Sequence, residues 1–342
     1  MKYNISNIID LLNKTSNNII IITHDNPDGD AIGSVLTMYN ILLKKQFNSI
    51  NIVLTSNYSN KFDWMPNINK VLILNHYNYI KICKKILKAN IIFCLDFSNT
   101  TRIHKIEQVF LRSRGIKIVI DHHNDVNIKY DFLYHNNLSS STTELLYDFI
   151  HKLNFEKLMD INIRNCLYTG ILTDSNSFQF TPSKHKIFQI AYELVKSGVN
   201  NNYIYDKIYH FNNYSIIEFF GYCFYKKTHF IKNDNNFLIC IISISKEEII
   251  RYNIINDETK FIINYPLYIN NVKLSLLLIE QSNIRTKISI RSKRNVDCNQ
   301  IAKKYFNGGG HKNASGGYIN MQLDDSFILC KKIFSDIRSC II

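Results

Sequence analysis

The sequence predicts an α/β protein: an N-terminal domain with a parallel sheet flanked by helices, a helical connector, and a smaller α+β C-terminal domain. Three observations predict it. Short apolar runs alternate with helix-like segments through the first half, as in successive βαβ units. The pattern turns helical and aromatic from about residue 186 to 225, and longer strand-like runs with a glycine cluster follow. A length of 342 residues is enough to bury two separate cores.

The first five runs are Ile19–Ile22, Ile50–Leu54, Val71–Leu74, Ile91–Leu95 and Ile116–Ile120. Each is apolar at nearly every position, as expected of strands covered on both faces. Between them, residues 31–45 and 79–89 carry apolar side chains at helical spacing. Residues 188–198, 204–211 and 215–225 read as the connecting helices. Strand-like stretches at 236–244, 272–281 and 286–293 then lead to a helix-like 299–306. The expected divisions are a first domain over 1–188, a connector over 189–228 and a second domain over 229–342.

Composition narrows the function classes. No run approaches the roughly 20 apolar residues needed to span a bilayer, so no membrane partner is expected. The N-terminus carries Asp10 and lacks a small-residue cleavage site, which leaves a cytoplasmic location as the default. Eight cysteines are scattered without a CxxC pair, so buried reduced thiols are expected rather than disulfides or thiolate metal sites. Lys and Arg outnumber Asp and Glu by 41 to 28, a balance that favours polyanionic partners. Drift in an AT-rich genome would also enrich Lys, so the local arrangement of charge carries more information than its total.

Ligands of open α/β sheets bind outside the carboxyl ends of the strands. Four apolar segments here lead into residues suited to metal. Ile19–Ile22 leads into His24, Asp28 and Asp30; Ile91–Leu95 into Asp96; and Ile116–Ile120 into Asp121, His122 and His123. Tyr168–Leu172, read as a fourth such strand end, leads into Asp174. Taken singly, Asp28-Gly29 fits a turn and a lone aspartate fits a helix cap. Taken together, the four ends crowd negative charge on one rim, which cations would relieve. Carboxylates with imidazoles and no thiolates suit Mn²⁺, Fe²⁺, Co²⁺ or Zn²⁺, and a carboxylate majority favours Mn²⁺ or Mg²⁺. Four aspartates and two histidines exceed one ion's needs and suit a pair roughly 3.5–4 Å apart, the usual device for displacement at phosphorus.

In the second half, residues 285–294 hold five basic side chains in ten. Strand alternation would put Arg285, Lys287, Ser289, Arg291 and Lys293 on one face, with Ile288 and Ile290 packed inward. Gly308-Gly309-Gly310-His311 follows, a run whose backbone could approach an anion closely.

The segments THDNPDGDAIGS, the Asp96 strand, VIDHH and GILTDSNSF, with GGGHKNASGG near the C-terminus, resemble the successive motifs of the DHH family of phosphoesterases and its usual associated domain. The resemblance runs in order from about residue 20 to 320, and in size and layout it is to the stand-alone oligoribonuclease and 3′-phosphoadenosine-5′-phosphate (pAp) phosphatase branch. It implies two divalent ions, with Mn²⁺ the expectation. His24, Asp28 and Asp96 would hold one ion and Asp30, Asp96, His122 and Asp174 the other, Asp96 bridging. His123 would act on the substrate beside Asp96, and Asp121 would orient the neighbouring histidine from behind. Arg102 would pair with a carboxylate in preference to contacting substrate, and His104 stands where the family commonly has glycine, which puts the local turn in question. Arg291 and His311, with Ser292, Lys312 and the glycines Gly308, Gly309 and Gly310, would bind substrate. The implied substrates are short RNA or small nucleotides, and a homodimer is compatible with the resemblance. A soluble cyclic-di-AMP or pApA phosphodiesterase is the enzymatic alternative. A catalytically dead nucleotide- or RNA-binding protein is the other, although none of the six ligands is missing.

Overall fold

The computed structural model describes residues 2–124, 126–179, 182–183, 185–210, 214–232, 238–254, 259–293 and 296–336, without the side chains of 260, 311 and 336. It divides into two compact units, Met1–His210 and Phe211–Ile342. The division falls inside the segment 189–228.

The first unit begins with α1 (Ile5–Leu12), β1 (Asn18–Ile22), α2 (Gly29–Lys44), β2 (Ser49–Leu54) and β3 (Val71–Ile73). It continues through α3 (Tyr79–Leu87), β4 (Ile91–Leu95), α4 (Glu107–Arg112), β5 (Ile116–Asp121) and β6 (Phe132–His135). The helices α5 (Thr142–Lys152), α6 (Ile161–Asp174), α7 (His185–Lys196) and α8 (Asn201–Tyr209) complete it. The sheet order is β3-β2-β1-β4-β5-β6, and every pairing is parallel. The five strands expected between residues 19 and 120 are present. β6 is additional, a short edge strand whose last three residues are only half-buried.

Alternation along these strands builds a core on each face. Ile19, Ile21, Phe93, Leu95 and Ile120 pack with α2, α5 and α6, whereas Ile20, Ile22, Cys94 and Val119 pack with Ile82 and Ile86 of α3. Both faces are closed, which is why the strands read as unbroken apolar runs. The order reverses direction between β1 and β4, and the crevice at such a switch point is where doubly wound sheets bind ligands.

The helix α2 is buried from Gly29 to Leu42 because α5 and α6 cover the side that the sheet does not. That approach needs glycine. A Cβ on Gly33 would stand 2.6 Å from the Cys166 carbonyl oxygen, and one on Gly170 would stand 2.8 Å from an Asp30 oxygen. The Tyr168–Leu172 run therefore lies in helix α6, not in a strand as its apolar continuity suggested. A short run buried on all sides carries no periodicity to tell helix from strand.

The second unit holds α9 (Ser215–Tyr222), β7 (Thr228–Lys232), β8 (Leu238–Ile244), α10 (Lys246–Arg251) and α11 (Thr259–Ile262). β9 (Val272–Ser282), β10 (Arg285–Ser292), α12 (Cys298–Tyr305), β11 (Gly309–His311), β12 (Ala314–Ile319) and α13 (Leu323–Asp336) follow. Its sheet runs β11-β12-β10-β9-β8-β7 and is mixed, with only β8 and β9 parallel. Among the described residues seven cysteines are free thiols, six of them buried, and no helix is long and apolar enough to cross a membrane. Cys340 lies outside the described residues.

Candidate metal centre

Three strand ends and two helix ends assemble the site. His24 follows β1, and its Nδ1 donates to the Asp25 carbonyl oxygen at 2.8 Å, which turns Nε2 to within 3.1 Å of Asp96 Oδ2. Asp28 caps α2, accepting the Asp30 and Ala31 amides at 3.1 Å each. Asp96 follows β4 with φ of +63°, a left-handed conformation that aspartate tolerates better than most residues. His122 follows β5, and its Nδ1 donates to the Ser139 carbonyl oxygen at 3.2 Å. That bond selects the tautomer whose Nε2 faces the carboxylates, the usual way a second ring nitrogen orients a metal-binding imidazole. Around Nε2 stand Asp174 Oδ2 at 3.3 Å, Asp96 Oδ1 at 3.6 Å and Asp30 Oδ2 at 3.9 Å. Asp174 is the last residue of α6.

All six expected ligands are thus brought together. Three groups have ligand atoms within 4.8 Å of one another: His24, Asp28 and Asp96; Asp30, His122 and Asp174; and Asp96, His122 and His123. Asp96 belongs both to the His24 group and to the group with His122 and His123, and His122 links the latter to Asp30 and Asp174.

The electrostatics follow from the crowding of carboxylates. Burial, reinforced by Asp96 and Asp174, pushes the Asp30 carboxyl well above the usual range. Burial also lifts Asp174 to about 7 despite the nearby His122. Burial opposes a charge on His122, yet Asp174, Asp96 and Asp30 outweigh it and raise the ring to about 9. Asp96 goes the other way: burial resists its ionisation, but the His24 hydrogen bond and the surrounding imidazoles hold it below the usual carboxylate range. Without a cation the cluster balances itself by keeping protons. A set of carboxylate oxygens and imidazole nitrogens in that condition fits divalent ions, which would replace those protons.

Sequence reasoning missed α5. Both Asp30 oxygens accept from its first turn, Oδ2 from the Thr142 amide at 2.6 Å and Oδ1 from the Thr143 amide at 2.9 Å and hydroxyl at 2.7 Å. Oδ2, with one donor, keeps a second lone pair for an ion, whereas Oδ1 is already met by two donors. The Thr142 hydroxyl donates to Asp96 Oδ1 at 3.0 Å. The available signal was Ser141-Thr142-Thr143-Glu144, a helix-start pattern, and Ser141 does accept the Glu144 amide at 3.0 Å.

Behind the cluster runs a closed chain. Asp121, fully buried, accepts from the Ser98 hydroxyl and from His123 Nδ1, the latter at 2.7 Å. The His123 hydrogen bond overcomes burial and holds Asp121 below the usual carboxylate range. Arg102 donates to His123 Nε2 at 2.9 Å, so its observed partner is an imidazole and not the expected carboxylate. His104 occupies an ordinary right-handed helical conformation, φ −47° and ψ −36°, and its Nδ1 lies 2.6 Å from Asp25 Oδ2. The turn therefore has no need of glycine.

In the second unit, β10 alternates as expected: Arg285 and Lys287 are exposed, Ile288 and Ile290 buried. Arg291 is half-buried and donates to the Ile290 carbonyl at 2.9 Å. Ser292 turns inward, where its hydroxyl donates to the Val296 carbonyl at 2.7 Å and accepts from the Asn313 side chain at 2.9 Å. The amides of Gly308 and Gly310 are already taken, by the Ala302 carbonyl at 3.2 Å and Asn299 Oδ1 at 3.1 Å. The backbone crowding that demands glycine there comes from β12: a Cβ on Gly310 would stand 2.6 Å from the Ala314 carbonyl oxygen. Lys312 is exposed, and the His311 side chain lies outside the described atoms.

Comparison with known proteins finds two matching domain families. Residues 18–171 match the DHH family, N-terminal domain, and residues 234–332 match the DHHA1 domain. A probable bifunctional oligoribonuclease and PAP phosphatase NrnA from Streptococcus mutans is 29% identical over 89% of this chain and 90% of that protein. The bifunctional oligoribonuclease and PAP phosphatase NrnA of Mycoplasma genitalium is 26% identical over 93% of this chain and 94% of its own. The crystal structure of an exopolyphosphatase-related protein from Bacteroides fragilis superimposes with a TM-score of 0.89 at 31% identity, covering 96% of this chain and 95% of that one. The chain belongs to the DHH family of phosphoesterases and carries the DHHA1 domain.

Proposed function

We propose that this protein is a two-metal phosphodiesterase and phosphatase that hydrolyses short oligoribonucleotides to 5′-mononucleotides and pAp to AMP and phosphate. The observation that carries the reading is the sharing of Asp96 between the His24 and His122 groups, an arrangement suited to two adjacent ions, with Mn²⁺ the expected metal. The names of the S. mutans and M. genitalium relatives support the substrate class.

Divalent cations held by His24, Asp28, Asp30, Asp96, His122 and Asp174 would supply Lewis acidity at phosphorus and lower the pKa of water. The protein's own groups do the rest. Asp121 fixes His123 with a proton on Nδ1, and Arg102 donates to its Nε2, so the ring holds the guanidinium in place and the other N–H groups of Arg102 are the donors offered to a phosphoryl oxygen. One bond type serves both reactions: the P–O3′ bond breaks, O3′ leaves and gains a proton, and water's oxygen joins phosphorus. In the second unit, Arg291, His311 and Lys312 are the proposed substrate-binding side chains, with Ser292 and the glycines shaping the backbone that carries them.

The test is Mn²⁺-dependent hydrolysis across pAp, pApA, a 5-mer, a 24-mer RNA, cyclic di-AMP and polyphosphate. Fast turnover of pAp and the short RNAs, with little on the 24-mer, is the expected result. Preference for the 24-mer, for cyclic di-AMP or for polyphosphate would overturn the substrate assignment.

A further inference from the structure

The opposite end of the first unit's sheet carries a different chemistry. A cavity of about 530 Å³ opens where β1 and β2 begin, lined by Asn18, Ser49 and Asn51 on the sheet side. The helix α3 and its C-terminal cap supply the other wall, with Lys81, Lys84 and Lys85 on the helix and Lys88 as the cap. The spacing i, i+3, i+4, i+7 places all four ammonium groups along one stripe. Ile82 and Ile86 of the same helix are buried against the sheet, so the stripe is the helix's outward flank. No carboxylate lines the cavity, and none of the four lysines forms an ion pair among the described residues.

A solvated helix face would normally mix charges or leave them on a convex surface. Here like charges line a concavity, and apolar side chains stay exposed beside them: Tyr77 is 97% exposed and Ile80 69%. Seven residues of helix spread the lysines over about 10 Å. That is too long for a single phosphoryl group and suits successive phosphates of a strand. A ring at the mouth offers a surface on which a base can stack, and a basic track with an exposed aromatic is how single strands are held without sequence preference.

We propose that this cavity is a docking site for single-stranded RNA, separate from the metal centre. A five-residue strand puts the Asn18 and Ser49 side of the cavity roughly 16 Å from the metal rim, and α3 runs from the carboxyl end of β3 down to that side, ending at Lys88. The choice of RNA over other polyanions rests on the function proposed above. The site is therefore tested by binding without turnover, so the two readings fail separately.

The experiment measures fluorescence anisotropy of the full chain in EDTA with a fluorescein-labelled 12-nucleotide RNA, across a salt series. Replacing Lys81, Lys84, Lys85 and Lys88 by Ala is expected to weaken binding at least tenfold at low salt. It should also flatten the log–log salt slope by roughly 0.7 for each phosphate that is no longer neutralised. Tyr77→Ala alone should weaken binding about fivefold or more. Turnover of pAp should be unchanged in both variants. An equal weakening in a variant carrying Lys14→Ala, Lys152→Ala, Lys157→Ala and Lys196→Ala would reduce the effect to net charge and overturn the proposal. So would an unchanged affinity and slope, or displacement of the RNA by inorganic phosphate or AMP at equal molar concentration.

Discussion

His122 and His123 are neighbours with the same side chain, and their surroundings assign them different work. The region around His122 has a carboxylate surplus: Asp174, Asp96 and Asp30 stand within 3.9 Å of one nitrogen. The region around His123 is tied down at both ring nitrogens, by Asp121 on Nδ1 and Arg102 on Nε2, with Asp96 Oδ1 farther off at 3.7 Å. The first arrangement holds carboxylates in excess of cationic groups; the second sets one carboxylate and one guanidinium on the two nitrogens of a single ring. A surplus marks a place for metal, and a closed chain marks a fixed group that acts on what the metal holds.

The largest effect should come from the surplus side. Asp96→Ala removes the ligand common to two groups, so Mn²⁺ binding should fall and turnover drop at least about a thousandfold, several kcal/mol of transition-state stabilisation. Calorimetry with Mn²⁺ beside steady-state rates checks it. A variant that binds two ions normally would erase the distinction between the two histidine environments.

On the closed side, His123→Ala should lower kcat by roughly 10²–10⁴-fold while Mn²⁺ stoichiometry stays normal. Asp121→Asn should act through the same ring at a smaller scale, about 10–100-fold, because the wrong partner disturbs the His123 tautomer. Loss of metal in either variant, read by elemental analysis, would place His123 among the ligands instead.

The pH dependence follows from the surplus. In the metal-free protein His122 keeps its proton up to about 9 and Asp174 up to about 7, and an ion needs both groups deprotonated. Apparent Mn²⁺ affinity should therefore rise with pH through that window, by up to about tenfold per unit for each proton released. The raised His122 also favours the metal-free fold below its ordinary 6.5 and loses that contribution as pH climbs towards 9, so the thermal stabilisation by Mn²⁺ should grow over the same range. A flat affinity between pH 6.5 and 9 would mean that the cluster does not hold those protons.

The last effect is the most local. Thr142→Val removes the hydroxyl that donates to Asp96, a hydrogen bond to a charged group worth about 1.5–3 kcal/mol, which should weaken Mn²⁺ binding roughly 10–100-fold at most.

Much of this was legible in the residues alone. The strands showed themselves because a sheet closed on both faces leaves unbroken apolar runs, and their carboxyl ends pointed to His24, Asp96 and His122. What escaped has physical reasons. β6 is a short, half-buried edge strand with little apolar signal. Asp174 was placed correctly at the rim for the wrong reason, because a helix packed at Gly33 and Gly170 is buried all round and loses its period. Thr142 and Thr143 look like an ordinary helix start, and only the tertiary approach of α2 turns that start towards Asp30. Ser292 is instructive in another way. Strand alternation already sets it on the face opposite Arg291, so the two could not both meet a ligand on the basic face.

Whether Asp96 bridges two ions can be read by crystallography: soak with Mn²⁺ and count anomalous peaks at the rim. Two peaks roughly 3.5–4 Å apart, both within ligand distance of Asp96, are expected. A single peak, or a pair in which Asp96 touches only one ion, would contradict the shared-carboxylate centre.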